Sequence, residues 1–98
     1  MSNRAAIRYA KAIMERTQAN NLTVQTNDDM LLIADTIKSN SELNDFVKNP
    51  VFSREVKYSA LLEVFSGINT ESKLLLKLLA ENKRLEILAD VASAYNGL

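Results

Sequence analysis

The stretch KLLLKLLAEN, from Lys73 to Asn82, places five leucines in six consecutive positions. An α-helix turns by about 100° per residue, so these leucines cover an arc of roughly 200° around the helix axis. The apolar stripe of a surface helix in a small domain is usually about 100° wide or slightly wider. The excess predicts either an unusually deep helix or a helix that faces something outside the chain.

The rest of the sequence also has helical periodicity. Two glycines, one proline and few runs of β-branched residues leave almost no strand signal. The pattern predicts an all-α fold, a compact six-helix bundle in one domain over residues 1–98. The expected helices span roughly residues 3–19, 22 or 24 to 38, 39 or 41 to the Asn-Pro pair at 49–50, 53–66, 70–80 and 85–95.

The expected helix ends depend on capping residues. Asn3 is a candidate cap for the first helix, which Asn20 and Asn21 close. Either Ser39 or Ser41 caps the third helix, and Ser53 caps the fourth. Gly67 is expected to end the fourth helix in the left-handed conformation that glycine adopts readily.

Composition excludes several classes of function. Twelve basic residues balance twelve acidic ones, which argues against a nucleic-acid-binding protein. The sequence contains no histidine and no cysteine, so the commonest metal ligands and the usual proton-transfer side chain are missing. No apolar run approaches the roughly 20 residues that cross a bilayer. We expect no cofactor, no metal, no nucleic acid and no direct membrane insertion, and we expect the partner to be a protein.

Charged side chains are predicted to lie on solvated helix faces. Asp28 and Asp29 are adjacent in sequence, so on a helix they point about 100° apart and cannot act on one substrate atom as an acid–base pair. The first helix has a basic side, on which Lys11 is expected to pair with Glu15. No catalytic residue is predicted.

The first helix has the same excess of apolar residues in smaller side chains. One edge of its roughly 220° apolar arc carries Ala5, Tyr9 and Ala12. Small residues around one aromatic ring allow another backbone to approach closely. From periodicity alone two interpretations stay open: the first and fifth helices are both central in the bundle, or they form a groove that accepts a partner helix.

Three stretches carry a family pattern: RAAIRYAKAI at residues 4–13, ELNDFVKNPVFSREVKYSALLEVF at 42–65, and LLKLLAENKRLEILADVASAY at 75–95. Together they resemble the N-terminal domain of the delta subunit of bacterial F-type ATP synthases. The mitochondrial counterpart is the oligomycin sensitivity-conferring protein. The third stretch, with its Leu-Leu-Ala-Glu-Asn, Arg-Leu and closing aromatic residue, is the most distinctive of the three.

The resemblance implies a non-catalytic stator domain of the peripheral stalk, which holds the catalytic head against rotation during proton-coupled ATP synthesis. In that family the groove between the first and fifth helices binds the N-terminal helix of an alpha subunit. Three expected contact residues match groove positions of the family and helical spacing adds three more: Tyr9, Ala12 and Leu78, then Ala5, Leu74 and Leu75. The other leucines of the opening stretch, Leu76 and Leu79, are expected in the core with Ala80.

The resemblance also implies a location and a limit. Family members continue into a C-terminal region that contacts the b subunits, whereas this chain ends at Asn96-Gly97-Leu98, after its sixth predicted helix. We therefore expect an isolated or a truncated domain, which is monomeric and keeps only the head-binding half. It would act at the cytoplasmic face of the bacterial inner membrane, as a peripheral part of the synthase. The alternative is a free-standing, death-domain-like helical adaptor that associates with its own kind.

One position departs from the family pattern. Lys83 stands where family members often have glycine after the Ala-Glu-Asn sequence. Asparagine tolerates the left-handed conformation better than most residues, so Asn82 is expected to adopt it at the end of the fifth helix.

Overall fold

The structure is a computed structural model that describes residues 4–98, which form six α-helices and a single 3-10 turn and contain no strand. The helices are α1 (Arg4–Ala19), α2 (Thr23–Ser39), α3 (Ser41–Lys48), α4 (Arg54–Val64), α5 (Thr70–Glu81) and α6 (Leu88–Asn96), and the 3-10 turn is Leu85–Ile87. The predicted all-α six-helix bundle is confirmed. Asn3, the candidate cap of the first helix, lies outside the described residues. Within residues 4–98, no helix combines the length and the apolar character that crossing a bilayer requires.

One face of each long helix forms the core. α6 packs on both α2 and α1, while α5 lies between α4 and α1. The buried apolar residues of α2 recur at helical spacing and so share one face of the helix: Met30, Ile33, Ala34 and Ile37. In α5 the predicted core residues Leu76 and Leu79 are fully buried and Ala80 is 7% exposed, so these assignments are confirmed.

A buried hydrogen bond joins α1 to α6. The hydroxyl oxygens of Thr17 and Tyr95 are 2.8 Å apart, and both residues are almost completely buried. The Thr17 hydroxyl also donates to the backbone oxygen of Met14 at 3.0 Å, so the Tyr95 hydroxyl is the donor to Thr17. Because a buried hydroxyl without a partner is costly, this bond restricts how α1 can sit on α6.

The caps follow the prediction in two places and differ in a third. Asn21 closes α1 with a φ of 57°, and the Ser53 hydroxyl accepts from the Val56 amide at 3.2 Å. The cap of α3, however, is Asn40, whose side-chain oxygen accepts from the Leu43 amide at 3.1 Å. The expectation of Ser39 or Ser41 is wrong because Ser39 still belongs to α2, and its hydroxyl donates to the backbone oxygen of Asp35.

The prediction that Gly67 ends α4 in the left-handed conformation is also wrong, because neither glycine has a positive φ. Phe65 follows the helix with a φ of −111°, its amide still donating to the Leu61 oxygen at 2.9 Å. The Ile68 amide then donates to the Phe65 oxygen at 3.3 Å. Both side chains are buried, Phe65 at 2% and Ile68 at 4% exposed, so core packing turns the chain here without help from Gly67.

At the end of α5, the left-handed conformation is adopted by a different residue from the one predicted. Lys83 has a φ of 57°, whereas Asn82 has a φ of −91° and remains the last residue of the helical turn. The amide of Arg84 donates to the Leu79 oxygen at 2.7 Å, and that of Lys83 donates to the Ala80 oxygen at 3.1 Å. This pair of bonds is the Schellman motif, which places the left-handed residue one position after Asn82.

The strained backbone of Lys83 leads to a stability prediction. A non-glycine residue costs about 1–2 kcal/mol in the left-handed region, and the greater unfolded-state freedom of glycine offsets part of that. We expect Lys83→Gly to raise the free energy of unfolding by about 0.5–1 kcal/mol, measured by urea denaturation. Lys77→Gly makes the same chemical change at an exposed position inside α5 and should lower the free energy of unfolding by about 1 kcal/mol. A lower unfolding midpoint for Lys83→Gly would contradict the strain argument.

Candidate functional site

The candidate site is the surface where α1 and α5 lie side by side. Arg16, near the end of α1, bonds to Glu71, near the start of α5. Tyr9, about two turns earlier in α1, bonds to Asn82, at the end of α5. The two helices are therefore antiparallel. We refer to their exposed or partly exposed apolar residues Ala5, Tyr9, Ala12, Leu74 and Leu78 as the α1–α5 surface.

The sequence-predicted site residues differ in how far they reach the surface. Ala12 is exposed, while Ala5 and Leu74 are partly exposed. Tyr9 and Leu78 are also partly exposed, but they pack against the core as well. Five of the six predicted residues thus keep solvent-exposed area in the folded bundle.

Leu75, the sixth predicted residue, is corrected by the structure. Its side chain is 0% exposed, so it belongs to the core and not to the α1–α5 surface. On the helical wheel Leu75 lies about 100° from Leu74 but only about 40° from the buried Leu79. Because α4 and α1 cover α5 from two sides, the buried part of the leucine arc is wider than the sequence suggests.

A hydrogen bond joins the two helices near one end of the α1–α5 surface, one helical turn after Ala5. The side-chain nitrogen of Asn82 donates to the hydroxyl oxygen of Tyr9 at 2.7 Å. The backbone amide of Asn82 meanwhile donates to the Leu78 oxygen at 3.1 Å. Sequence reasoning assigned Asn82 only a backbone role. The sequence signal for this hydrogen bond is Tyr9 itself, because a partly buried tyrosine hydroxyl usually has a hydrogen-bond partner.

The other end is closed by an ion pair that sequence reasoning missed. Glu71 is 7% exposed, and its carboxylate accepts from the Arg16 Nε at 2.6 Å and from the Arg16 Nη2 at 3.2 Å. The side-chain nitrogen of Asn20 adds a third donor at 3.3 Å. The expected pair between Lys11 and Glu15 is not among the ion pairs of residues 4–98, and both side chains remain in solvent.

The donors around Glu71 lower the pKa of its carboxyl group. The largest cause is the hydrogen bond from Arg16, and the positive charge of Arg16 and the amide of Asn20 act in the same direction. Burial opposes these effects, because it favours the neutral acid. Glu71 is therefore ionised in the folded domain at neutral pH and has a smaller affinity for a proton than in the unfolded chain.

This shift makes stability depend on pH in a defined direction. The unfolded chain takes up a proton at Glu71 near pH 4.3, before the folded domain does, so the contribution of Glu71 is present above that pH. It is lost as the pH falls through the lower pKa of the folded state. We expect the melting temperature of wild type to exceed that of Glu71→Gln at pH 7 and the difference to shrink below about pH 4. The exposed Glu63 offers a control, since Glu63→Gln should change the melting temperature little; a constant gap for Glu71→Gln would refute the argument.

A second polar network positions the start of α5. The side-chain oxygen of Asn69 accepts from the amides of Glu71 and Ser72 at 2.8 and 3.1 Å. The carboxylate of Asp29, in α2, accepts from the backbone and side-chain nitrogens of Asn69, both at 2.9 Å, and from the Ser72 hydroxyl at 2.8 Å. Both Asp28 and Asp29 were predicted to lie on a solvated helix face. This is correct for the exposed Asp28 but wrong for Asp29, whose hydrogen bonds hold the start of α5 against α2.

The chemistry of the α1–α5 surface favours binding. Its two bordering charges, Arg16 and Glu71, are bonded to each other and so are not free to transfer a proton to a substrate. Eleven residue steps separate Glu71 from Asn82, which corresponds to about 16 Å along α5, or three helical turns. An apolar surface of this length, with hydrogen-bonded ends, suits a short amphipathic helix.

Comparison with known proteins identifies relatives over almost the whole chain. A model of the ATP synthase delta (OSCP) subunit family matches residues 5–98. The chain is 55% identical over 97 residues to ATP synthase subunit delta of Flavobacterium psychrophilum, an alignment covering 99% of this chain and 55% of the relative. The corresponding protein of Flavobacterium johnsoniae is 50% identical over 97 residues, with the same coverage. That of Christiangramia forsetii is 40% identical over 92 residues, covering 94% of this chain and 50% of the relative. The chain thus spans about half the length of the curated relatives it matches.

Proposed function

Because the chain belongs to the ATP synthase delta (OSCP) subunit family, we propose that it is a non-catalytic part of the peripheral stalk of an F-type ATP synthase. In this proposal the α1–α5 surface binds the amphipathic N-terminal helix of an alpha subunit. The domain thereby helps to hold the catalytic head against rotation while proton flow drives ATP synthesis. The family match favours this role over a free-standing adaptor.

The observation that carries the binding proposal is the incomplete burial of apolar residues between two hydrogen-bonded ends. Leu74 and Leu78 lie on successive turns of α5, and both keep exposed area, while Ala12 offers a flat, exposed patch on α1. A partner helix that covers a leucine completely gains about 1.5–3 kcal/mol relative to leaving it in water. We expect the interface to bury roughly 1,200 Å², which is the low end of the standard range.

The assembly role follows from the family and from the coverage of the chain. The matched relatives are about twice as long as this chain, so contacts with the b subunits are proposed for the remaining half of such proteins. In this proposal, this chain supplies the contact with the catalytic head. The proposed location is the cytoplasmic face of the bacterial inner membrane, where the domain is held peripherally through the other subunits.

An amide-shift titration tests the binding proposal. The probe is a synthetic peptide of the alpha-subunit N-terminal helix, and a control peptide carries serine at its apolar positions. We expect shifts confined to α1 and α5 with the first peptide and none with the second. Shifts spread over other helices would contradict the assignment of the site. Self-association of the chain in sedimentation experiments, with no response to the peptide, would return the adaptor as the better interpretation.

A further inference from the structure

A concave region lies away from the residues of the α1–α5 surface. It is a cleft of about 650 Å³ between the α3–α4 connection, the first turns of α4 and the turn after α5. A cleft of this volume is in the range of binding sites for small molecules or short peptide segments.

The charge of the cleft is unlike that of the chain as a whole. Its charged lining residues are four basic and two acidic ones: Lys48, Arg54, Lys57, Lys83, Glu55 and Glu86. The whole chain carries a net charge of zero, so the cleft concentrates positive charge that is balanced elsewhere. Such a local excess attracts a negatively charged group and orients its approach.

Lys57 gives the cleft a fixed cation. It is the fourth residue of α4 and is only 9% exposed, although lysine is rarely buried without a partner. Among residues 4–98 no side chain forms a hydrogen bond or ion pair with its ammonium group. No fully buried side-chain nitrogen or oxygen in that range lacks a partner, so the ammonium group of Lys57 must reach the water of the cleft. Its buried stem restricts the charge to this position.

The other polar groups at the start of α4 are already engaged. Arg54 donates to the backbone oxygen of Glu81 at 3.0 Å and to the carboxylate of Glu55 at 3.2 Å. Glu55 accepts from its own backbone amide and from Arg54, and both bonds lower its pKa. These groups at the start of α4 therefore bond to one another, and the ammonium group of Lys57 is the cation that remains available to a ligand.

An apolar edge adjoins the cations. Phe52 lines the cleft and is 40% exposed, and its neighbour Val51 is 83% exposed. The rings of Phe52 and Phe46 have centroids 4.8 Å apart, which supports Phe52 from behind. A ligand that carries only negative charge would leave this apolar edge uncovered.

We propose that the cleft binds a protein segment in which an acidic side chain lies beside an apolar one. The acidic side chain would meet Lys57, with Lys48 and Lys83 around it, and the apolar side chain would cover Val51 and Phe52. Charge complementarity and the adjoining apolar edge favour such a segment over a free phosphate compound. The acidic residues Glu55 and Glu86 also disfavour a polyphosphate, whose charge is denser than that of a carboxylate.

The test uses short peptides and amide shifts of the whole chain. The probe is Ala-Glu-Leu-Glu-Leu-Ala, the neutral probe is Ala-Gln-Leu-Gln-Leu-Ala, and inorganic pyrophosphate represents the phosphate alternative. We expect the acidic peptide to shift the amides of Phe52, Lys57 and Lys83. The variant Lys57→Met keeps most of the buried stem and removes the charge, and it should weaken binding about three- to tenfold. The exposed Lys73→Gln makes the same change in net charge and should have no effect.

Several outcomes would overturn the proposal. These are equal binding of the neutral peptide, an equal effect of Lys73→Gln, no shift with the acidic peptide at millimolar concentration, or shifts with pyrophosphate only. Lys57→Met should leave binding of the alpha-subunit peptide unchanged, since Lys57 is not part of the α1–α5 surface. This readout separates a failure of the cleft proposal from a failure of the stalk proposal.

Discussion

Replacing Leu75 by alanine is expected to destabilise the domain by about 2–5 kcal/mol, because it leaves a cavity among fully buried side chains. Leu74→Ala, one position earlier, should cost only about 1 kcal/mol, since Leu74 is partly exposed. Urea denaturation followed by circular dichroism measures both values. The two leucines are identical in chemistry and adjacent in sequence, so the difference reports their position around α5.

The same pair of variants separates core from surface in a binding experiment. Leu74→Ala should weaken binding of the alpha-subunit peptide, whereas Leu75→Ala should bind it normally under conditions in which the variant is folded. Equal destabilisation by the two substitutions would contradict the burial of Leu75. If only the folded Leu75→Ala variant bound the peptide more weakly, Leu75 would be a contact residue of the site after all.

Ala12→Asp is expected to weaken binding of the alpha-subunit N-terminal helix by about 10- to 100-fold, measured by calorimetry. A partner helix lying over Ala12 would cover the new carboxylate, and a buried charge without a partner is costly. Because Ala12 is exposed in the domain, the substitution should cost only about 0.7 kcal/mol through lower helix propensity.

Gln18→Asp is the matched control for this variant. It adds the same charge to α1 at an exposed position on another side of the helix and should bind the peptide normally. Unchanged affinity for Ala12→Asp would exclude the α1–α5 surface as the binding site. Leu78→Asp should also abolish binding, but Leu78 packs against the core, so that variant loses stability as well and gives a less direct test.

Helical periodicity predicted the core well where each helix buries one face. Met30, Ile33 and Ile37 of α2 recur at helical spacing, and all three are buried. α5 was harder, because two neighbouring helices cover it and the width of its buried arc depends on their positions. Leu75 therefore could not be assigned from spacing alone.

Side-chain bonds between distant segments were the least predictable features. Asp29 and Asn69 are 40 positions apart in sequence, and the Arg16–Glu71 pair spans 55. Local patterns contain no information on such pairs, and each of these residues has an ordinary local role on a helix face or at a helix end. The left-handed Lys83 was missed for a similar reason: asparagine is the better intrinsic candidate, but the hydrogen-bonding pattern of the helix end selects the next residue.

The two ties between α1 and α5 have a mechanical consequence. If the α1–α5 surface binds the alpha-subunit helix as proposed, a force that rotates the catalytic head would load this contact in shear, so the contacts along the helix would have to break together and not one after another. Stepwise separation of the bound helix would require α1 and α5 to move apart. The bonds from Arg16 to Glu71 and from Asn82 to Tyr9 oppose this movement at opposite ends of the two helices. The double variant Arg16→Ala, Tyr9→Phe removes both bonds between α1 and α5. It should therefore shorten the lifetime of the complex with the alpha-subunit helix under force more than it reduces the equilibrium affinity for that helix.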